Sequence, residues 1–234
     1  MPFPSASRLT KRQRTHYKNK PNYSHGTNAF RSLRSTPYNQ MSRYLSRNNP
    51  FPAVEYATLR YVQTVTIQSG GAGLAGIHTF RATSIHDPDA TGAVDGGQPY
   101  GHDAYQGIYH HYQVLGATCT VQATPNSSTD FAGFGINIDD DNVFNTDQRW
   151  LMASKGSTYT MGGQQNAPNV LSRSYNHKWM ADQSALCATF GSDPAQNFFF
   201  RIFTMTNNSS KRIECVVTIN YRVKMWGLKG LSTS

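Results

Sequence analysis

The chain has 234 residues, a formal net charge of +9 and 38% hydrophobic residues. This length allows one large domain with a tail, because all-β domains of about 200 residues are common, or two small domains. The sequence contains no apolar run of about 18 residues, so no membrane-spanning helix is expected, and no secretory signal is expected at its start. Its three widely spaced cysteines (Cys119, Cys187 and Cys215) exclude a disulfide framework and are expected to be small buried residues.

The charged residues are divided unevenly along the chain. Residues 1–50 hold ten Lys and Arg and no Asp or Glu, whereas residues 51–234 hold 12 basic and 13 acidic residues. This division predicts two regions, a basic arm at 1–50 and a folded domain at 51–234. The arm is poor in apolar residues and contains five prolines, so it is expected to be disordered in the free subunit.

The composition of the arm predicts its partner. Arg, Lys, Tyr and Asn are interleaved, which suits phosphate contacts and base stacking, and apolar residues at helical spacing are missing, which favours nucleic acid over a membrane surface. DNA and RNA are both compatible with such an arm. The cluster RLTKRQR at 8–14, with Arg8, Lys11, Arg12 and Arg14, also has the form of a nuclear-import signal. The predicted nucleic-acid-binding residues are Arg8, Lys11, Arg12, Arg14, Lys18, Lys20, Arg31, Arg34, Arg43 and Arg47.

Beyond the arm, most segments are rich in β-branched and aromatic residues or alternate between apolar and polar residues, which predicts strands. Eight strands are predicted, in chain order, over residues 58–69, 76–84, 114–124, 131–139, 170–179, 184–190, 197–206 and 212–226. The segment 197–206 is apolar almost throughout and is expected to be buried on both faces. In 212–226, seven apolar residues from Ile213 to Met225 alternate with other residues, which predicts a long strand with one buried face.

Short helices are predicted at 104–113 and 147–153, and loops are predicted at 86–103 and over most of 140–170. An eight-stranded antiparallel jelly roll is the all-β architecture that fits best, because its crossovers between two sheets accommodate long and uneven loops. An up-and-down barrel would need tight hairpins, and a propeller would show a repeat of fixed period.

One group of residues resembles a metal site. Three histidines and an aspartate lie close together in sequence, and jelly-roll enzymes of the cupin type hold metals with such residues. A cupin site also needs a suitably placed Glu, and neither Glu of this chain is so placed, so polar loop or interface histidines are the favoured interpretation. The sequence has no GxSxG elbow and no Walker-type phosphate loop, so no catalytic activity and no cofactor are expected. The residues of the group are His102, Asp103, His110 and His111.

The strongest acidic cluster is Asp139, Asp140 and Asp141. Adjacent carboxylates suit a hard cation such as Ca²⁺, but the spacing of an EF-hand loop is absent. A solvated loop is the favoured interpretation. A calcium site and a subunit interface that pairs with basic residues remain as weaker hypotheses.

Two segments resemble a known family. Residues 97–122, GQPYGHDAYQGIYHHYQVLGATCTVQ, resemble the capsid proteins of circovirus-like viruses, which have small circular single-stranded DNA genomes. The C-terminal INYRVKMWGLKG (219–230) is similar to the last strand of that family. The resemblance implies a jelly-roll subunit and an icosahedral shell of about 60 copies. It also implies packaged single-stranded DNA, passage through a host nucleus, and import and cell-surface receptors as partners. The arm departs from the family pattern, because it mixes Arg with Asn, Ser, Thr, Tyr and Lys.

These observations predict a viral coat protein without enzymatic activity. The jelly-roll domain is expected to build a shell through edge and loop contacts, and the arm is expected to bind packaged nucleic acid, in the virion and in the host nucleus during assembly. Two alternatives remain. One is a single-stranded nucleic-acid-binding protein that forms no shell, and the other is a cupin-type metal enzyme.

Overall fold

A computed structural model of the chain describes residues 50–91, 97–125, 132–141, 145–162, 169–206, 209 and 212–230. The described part contains two short helices, α1 (His102–Ile108) and α2 (Gln148–Ala153). It also contains nine strands: β1 (Val54–Gln68), β2 (Ile77–Arg81), β3 (Tyr109–Pro125), β4 (Ala132–Asp139), β5 (Ser157–Gly162), β6 (Asn169–Asn176), β7 (Cys187–Thr189), β8 (Phe199–Met205) and β9 (Arg212–Leu228). Within these residues no helix is long and apolar enough to cross a membrane.

The strands form two antiparallel sheets. One sheet has the order β1-β9-β3-β6, with β7 paired to β3, and the other has the order β2-β8-β4-β5. The chain crosses between the sheets after β1, β2, β3, β5, β7 and β8. It stays within one sheet from β4 to β5 and from β6 to β7. This order of crossovers is that of a double-sheet jelly roll, which confirms the predicted fold class. The described residues form nine strands rather than the predicted eight, because β5 lies inside the segment predicted as a loop.

Strand β9 is the centre of the five-stranded sheet. It pairs with β1 from Arg212, opposite Gln68, to Trp226, opposite Val54, and on its other edge with β3. Its odd-numbered residues from Ile213 to Met225 are buried, and the even-numbered ones are exposed or half-buried. The predicted alternation is therefore confirmed, and the core lies between the two sheets.

Strand β3 begins at Tyr109, and the predicted helix over 104–113 is wrong beyond Ile108. Tyr105, Ile108, Tyr109 and Tyr112 have helical spacing, but the chain pairs with β9 from Tyr109 onward. The register shifts between Val114 and Gly116, so Leu115 is the extra residue of a β-bulge. The bulge moves the buried positions from even-numbered to odd-numbered residues, and both halves of β3 therefore face the core.

Other boundaries also differ from the prediction. Helix α2 matches the predicted helical segment, and its N-cap is Asp147, whose side chain accepts a hydrogen bond from the Arg149 amide. Strand β6 ends at Asn176, where a 3₁₀ turn (His177–Trp179) replaces the last predicted residues. The predicted strand at 184–190 is reduced to β7, because a second 3₁₀ turn occupies Gln183–Leu186.

The two sheets differ in how their outward sides are covered. Every residue of β8 is buried, as predicted for 197–206. Phe203 and Met205 pack against Leu151 of α2, so that helix covers part of the four-stranded sheet. On the five-stranded sheet, by contrast, Tyr56 and Val62 of β1 are exposed.

The cysteines follow the prediction in two of three cases. Cys119 and Cys215 are buried in the core, and Cys187 is half-buried at the start of β7. Burial raises the pKa of Cys215 to about 12 and also raises the pKa of Cys119. Both therefore remain neutral thiols at physiological pH, and neither is an activated nucleophile.

A glycine in β4 allows close packing between strands. Gly135 lies opposite Phe203 in the register, and a Cβ on Gly135 would lie 2.3 Å from Phe203 Cζ. Because the Phe203 ring is fully buried, it cannot move aside. We expect Gly135→Ala to lower the free energy of unfolding by about 1–3 kcal/mol, measured by denaturant titration.

The matched control is Gly107→Ala in α1, where an added Cβ meets nothing within 4 Å. Alanine in a helix is favoured over glycine, so this variant should keep or raise the stability by up to about 1 kcal/mol. Equal losses for the two substitutions would contradict the packing explanation.

Candidate functional site

The predicted nucleic-acid-binding and nuclear-import-like residues all belong to the basic arm and lie outside the described residues. Their role stays a prediction, and the geometry that can be analysed is that of the jelly-roll domain. The residues concerned are Arg8, Lys11, Arg12, Arg14, Lys18, Lys20, Arg31, Arg34, Arg43 and Arg47.

The acidic cluster lies at the end of β4, where an arginine of the same chain binds it. Asp139 Oδ2 accepts a hydrogen bond of 3.1 Å from Nη1 of Arg201, and Arg201 Nη2 donates to the Asp141 carbonyl. Arg201 is fully buried in β8, so Asp139 supplies a counter-charge for a buried cation. Asp140 is exposed, and its amide donates to Asp139 Oδ1. The cluster thus has a structural role that the sequence did not indicate.

The histidine group is spread over two elements. His102 is the first residue of α1 and is buried, with Nδ1 3.0 Å from Asp103 Oδ1 and its ring beside Phe190. His110 and His111 lie on β3 and are exposed, and His111 stacks on Trp226 with a centroid distance of 5.8 Å. Among the residues that the structure describes, no three His, Cys, Asp or Glu side chains are arranged to hold a metal ion.

Two carboxylates fix the long loop that follows β2. Asp89 is buried and bridges three elements, because its carboxylate contacts His78 Nε2 at 3.1 Å and accepts hydrogen bonds from Gln63 and Thr91. Asp87 binds the Arg81 guanidinium at 2.9 Å. These contacts hold the described start of the loop against both sheets.

The buried Asp89 carboxylate is kept charged by these partners. Burial by itself raises the pKa of this carboxyl, but the hydrogen bonds from Thr91 and Gln63 and the charge of His78 have the larger combined effect. The pKa of Asp89 therefore lies below its usual value. The anion also contributes, after burial, to a raised pKa of about 12 for Tyr61.

The uncovered side of the five-stranded sheet carries basic and aromatic residues that the sequence interpretation did not select. Arg60 of β1 and Arg222 of β9 project outward and are exposed, and Lys224 is half-buried beside Trp226. The signal was present in the sequence, because the alternation of 212–226 places Arg222 and Lys224 together on the face opposite the core. Their neighbours from other elements were not predictable from that alternation.

Comparison with known proteins shows no match to a family model and no match among curated proteins. Solved structures of viruses and of viral proteins do match. The Desmodium yellow mottle tymovirus structure has 13% identity, covers 80% of this chain and 96% of its own, and gives a TM-score of 0.43. The decameric BFDV capsid protein has 12% identity, covers 74% of this chain and 99% of its own, and gives 0.43.

A virus-like particle of the Macrobrachium rosenbergii nodavirus has 11% identity, covers 80% of this chain and 100% of its own, and gives a TM-score of 0.45. These values describe distant similarity. The jelly-roll assignment of this chain follows from its own strand order.

The Asp89 contacts give a pH-dependent prediction. Because the folded-state pKa of Asp89 is lowered, its stabilisation is present above the unfolded pKa of about 3.9 and is lost as the pH falls through the folded pKa. We expect Asp89→Asn to lower the free energy of unfolding by about 1–3 kcal/mol at neutral pH. The difference from the unsubstituted chain should shrink below about pH 4, measured by denaturant titration at several pH values.

Asp140→Asn is the control, because this carboxylate is exposed. It should change the stability little at any pH. A stability difference for Asp89→Asn that stays constant into the acid range would show that the lost charge is not the cause.

Proposed function

We propose that the chain is a viral coat protein. Its jelly-roll domain assembles with further copies of itself into a shell, and its basic arm binds packaged single-stranded nucleic acid. The observation that carries this proposal is the separation of charge, with ten cations and no carboxylate in residues 1–50 beside 12 basic and 13 acidic residues in the rest. Such an arm binds polyanions, while a nearly neutral domain can pack against identical copies without strong repulsion.

Exposed apolar and aromatic side chains support the assembly of the domain. Tyr100 is 90% exposed, and Trp179 and Val170 are 54% and 52% exposed. Large side chains of this kind are enriched where proteins meet, and several of them on one domain favour contacts with neighbouring copies. A shell would bury part of this surface, which a solitary domain leaves in water.

The finer features of the proposal come from the sequence resemblance to circovirus-like capsid proteins. They are a shell of about 60 copies, packaged single-stranded DNA, a virion location and passage through the host nucleus. Sixty arms of ten cations would supply about 600 positive charges, enough to neutralise about 600 phosphates if each pairs once. A nuclear role would use Arg8, Lys11, Arg12 and Arg14.

The assembly part of the proposal is tested by expressing the full chain and imaging it by negative-stain electron microscopy. We expect closed particles of uniform diameter, with a matching peak in size-exclusion chromatography. Small oligomers that bind single-stranded oligonucleotides would instead favour the nucleic-acid-binding protein without a shell. Stoichiometric transition metal by elemental analysis would favour the cupin-type enzyme.

The arm part is tested by replacing its ten Lys and Arg with Gln in the full-length chain. Ten phosphate contacts on single strands give about −7 for the slope of log affinity against log salt concentration, so the substitutions should reduce the slope by about that amount. Fluorescence anisotropy of a labelled oligothymidylate measures it. An unchanged slope would rule out the arm as the main binding region.

A further inference from the structure

The outward side of the five-stranded sheet has a defined arrangement of side chains where β1 and β9 pair. In the register, Tyr56 lies opposite Lys224, Thr58 opposite Arg222, and Arg60 opposite Asn220. Since alternate residues of a strand share a face, all six of these residues project away from the core. Trp226 is the next outward residue of β9.

This surface is open to solvent in the domain. Tyr56 is 62% exposed, and Arg60 and Arg222 are exposed as well. Helix α2 packs on the other sheet, where it covers Phe203 and Met205. Because α2 covers the other sheet, the outward side of the five-stranded sheet, with its Lys and Arg residues, is available to a ligand.

The charge of this surface is strongly one-sided. Two adjoining grooves share Thr58 and Arg222, and one of them is also lined by Lys178. Neither groove has an Asp or Glu among the described residues that line it. Glu214 of β9 is eight residues from Arg222, about 27 Å along the strand.

A carboxylate also lies near the edge of the surface. Asp182 lies near Cys187, which also experiences the charge of Lys224. The Asp182 carboxylate accepts hydrogen bonds from the amide and hydroxyl of Ser184, so it is already engaged by its own turn. Asp182 lines neither groove.

The backbone makes room for the central cation. Gly116 follows the β-bulge and lies opposite Arg222, and a Cβ at this position would lie 2.9 Å from Arg222 Nη2. The guanidinium thus rests over a residue without a side chain. Arg222 is exposed, so an anion can reach its guanidinium.

Aromatic rings stand beside these cations. The Trp226 ring stacks on His111, and Lys224 Nζ lies 5.4 Å from the centre of the Trp226 ring. Trp179 is 54% exposed and lines the same groove as Arg222. Exposed aromatic rings between cations are the arrangement that binds single-stranded nucleic acid, since bases stack on the rings while phosphates meet the charges.

The spacing of the cations also suits an extended strand. Arg222 and Lys224 are two residues apart on β9, about 6.7 Å, and Arg60 and Arg222 form a diagonal pair across the strands, about 7–8 Å apart. These separations are comparable with those between successive phosphates of an extended single strand.

We propose that this basic-aromatic face, formed by Tyr56, Arg60, Lys178, Arg222, Lys224 and Trp226, is a second binding site for single-stranded nucleic acid, independent of the arm. The arm itself is an unfavourable occupant, because it carries ten cations and would be repelled. Binding at this site does not require the proposed coat function. If the chain does form a shell, this face of the domain points toward the packaged nucleic acid.

The test uses the full-length chain with the ten arm cations replaced by Gln, so that only the domain can bind. In this background, Arg222→Gln with Lys224→Gln is compared with Arg149→Gln with Lys155→Gln. The control pair removes the same charge from exposed residues in and after α2. Binding of a labelled oligothymidylate is measured by fluorescence anisotropy over a range of salt concentrations, and thermal unfolding verifies that each variant is folded.

We expect the arm-neutral chain to keep weak binding with a slope of about −2 to −3, from three or four phosphate contacts. The double substitution at Arg222 and Lys224 should reduce the magnitude of the slope of log affinity against log salt concentration by about 1.4. It should also weaken binding at low salt by a factor on the order of ten. The control pair should change the affinity less than twofold. Loss of binding by the arm-neutral chain, or equal effects of the two pairs, would overturn the inference.

A second measurement leaves all residues of the basic-aromatic face unchanged. In the arm-neutral chain, Trp150→Phe leaves Trp179 and Trp226 as the only tryptophans. Base stacking should quench their emission in proportion to bound oligonucleotide, and an absence of quenching at saturation would contradict the proposal. Altered oligomer size with unchanged affinity in the Arg222 and Lys224 variant would identify the face as an interface between copies and overturn the proposal.

These outcomes are separable from those that test the arm and the shell. Particle formation and the salt dependence of nucleic-acid binding by the unsubstituted chain test the coat function. Neither result depends on whether the basic-aromatic face binds nucleic acid. A chain that forms particles and binds through its arm, but shows no binding by the arm-neutral domain, would retain the coat function and exclude the second site.

Discussion

The pairing of β9 with β1 and β3 is the interaction on which the rest of the domain depends. Because β9 alternates strictly, its register decides which residues enter the core and which face water. A slip of one residue against its neighbours would turn Arg222 and Lys224 into the core and Val223 outward, which no burial energy could offset. Tyr221 strengthens the register, since its buried hydroxyl donates to the Arg81 carbonyl of β2 in the opposite sheet. The basic-aromatic face is thus a consequence of the same alternation that forms the core.

The sequence predicted the fold where a single periodicity dominated. Strand β9 has seven apolar residues at a spacing of two, and β8 is apolar except for Arg201 and Thr204, so both were predicted correctly. Strand β3 was misplaced because its start also has helical spacing, and the bulge at Leu115 interrupts its alternation. Strand β5 was missed because Ser157–Gly162 is short and polar, and its pairing with β4 decides its conformation.

The candidate site was predictable to a smaller extent. Composition alone predicts a polyanion-binding arm, because charge segregation needs no knowledge of the fold, and this prediction concerns residues outside the described part of the chain. The partner of Asp139 was not predictable, since Arg201 lies 62 residues away and meets it only through the pairing of β4 with β8. The alternation of β9 revealed Arg222 and Lys224, but their convergence with Lys178 depends on the turn after β6.

The β-bulge in β3 and the position of Arg222 on the outward face are linked. The extra residue at Leu115 lets both halves of β3 bury their apolar side chains, and the residue after it, Gly116, is the one over which Arg222 lies. A side chain at Gly116 would occupy the space of the guanidinium without improving the core. The irregularity that the core requires therefore also creates the space for the central cation of the outward face. Folding and the proposed ligand recognition therefore place the same demand on this point of the sequence.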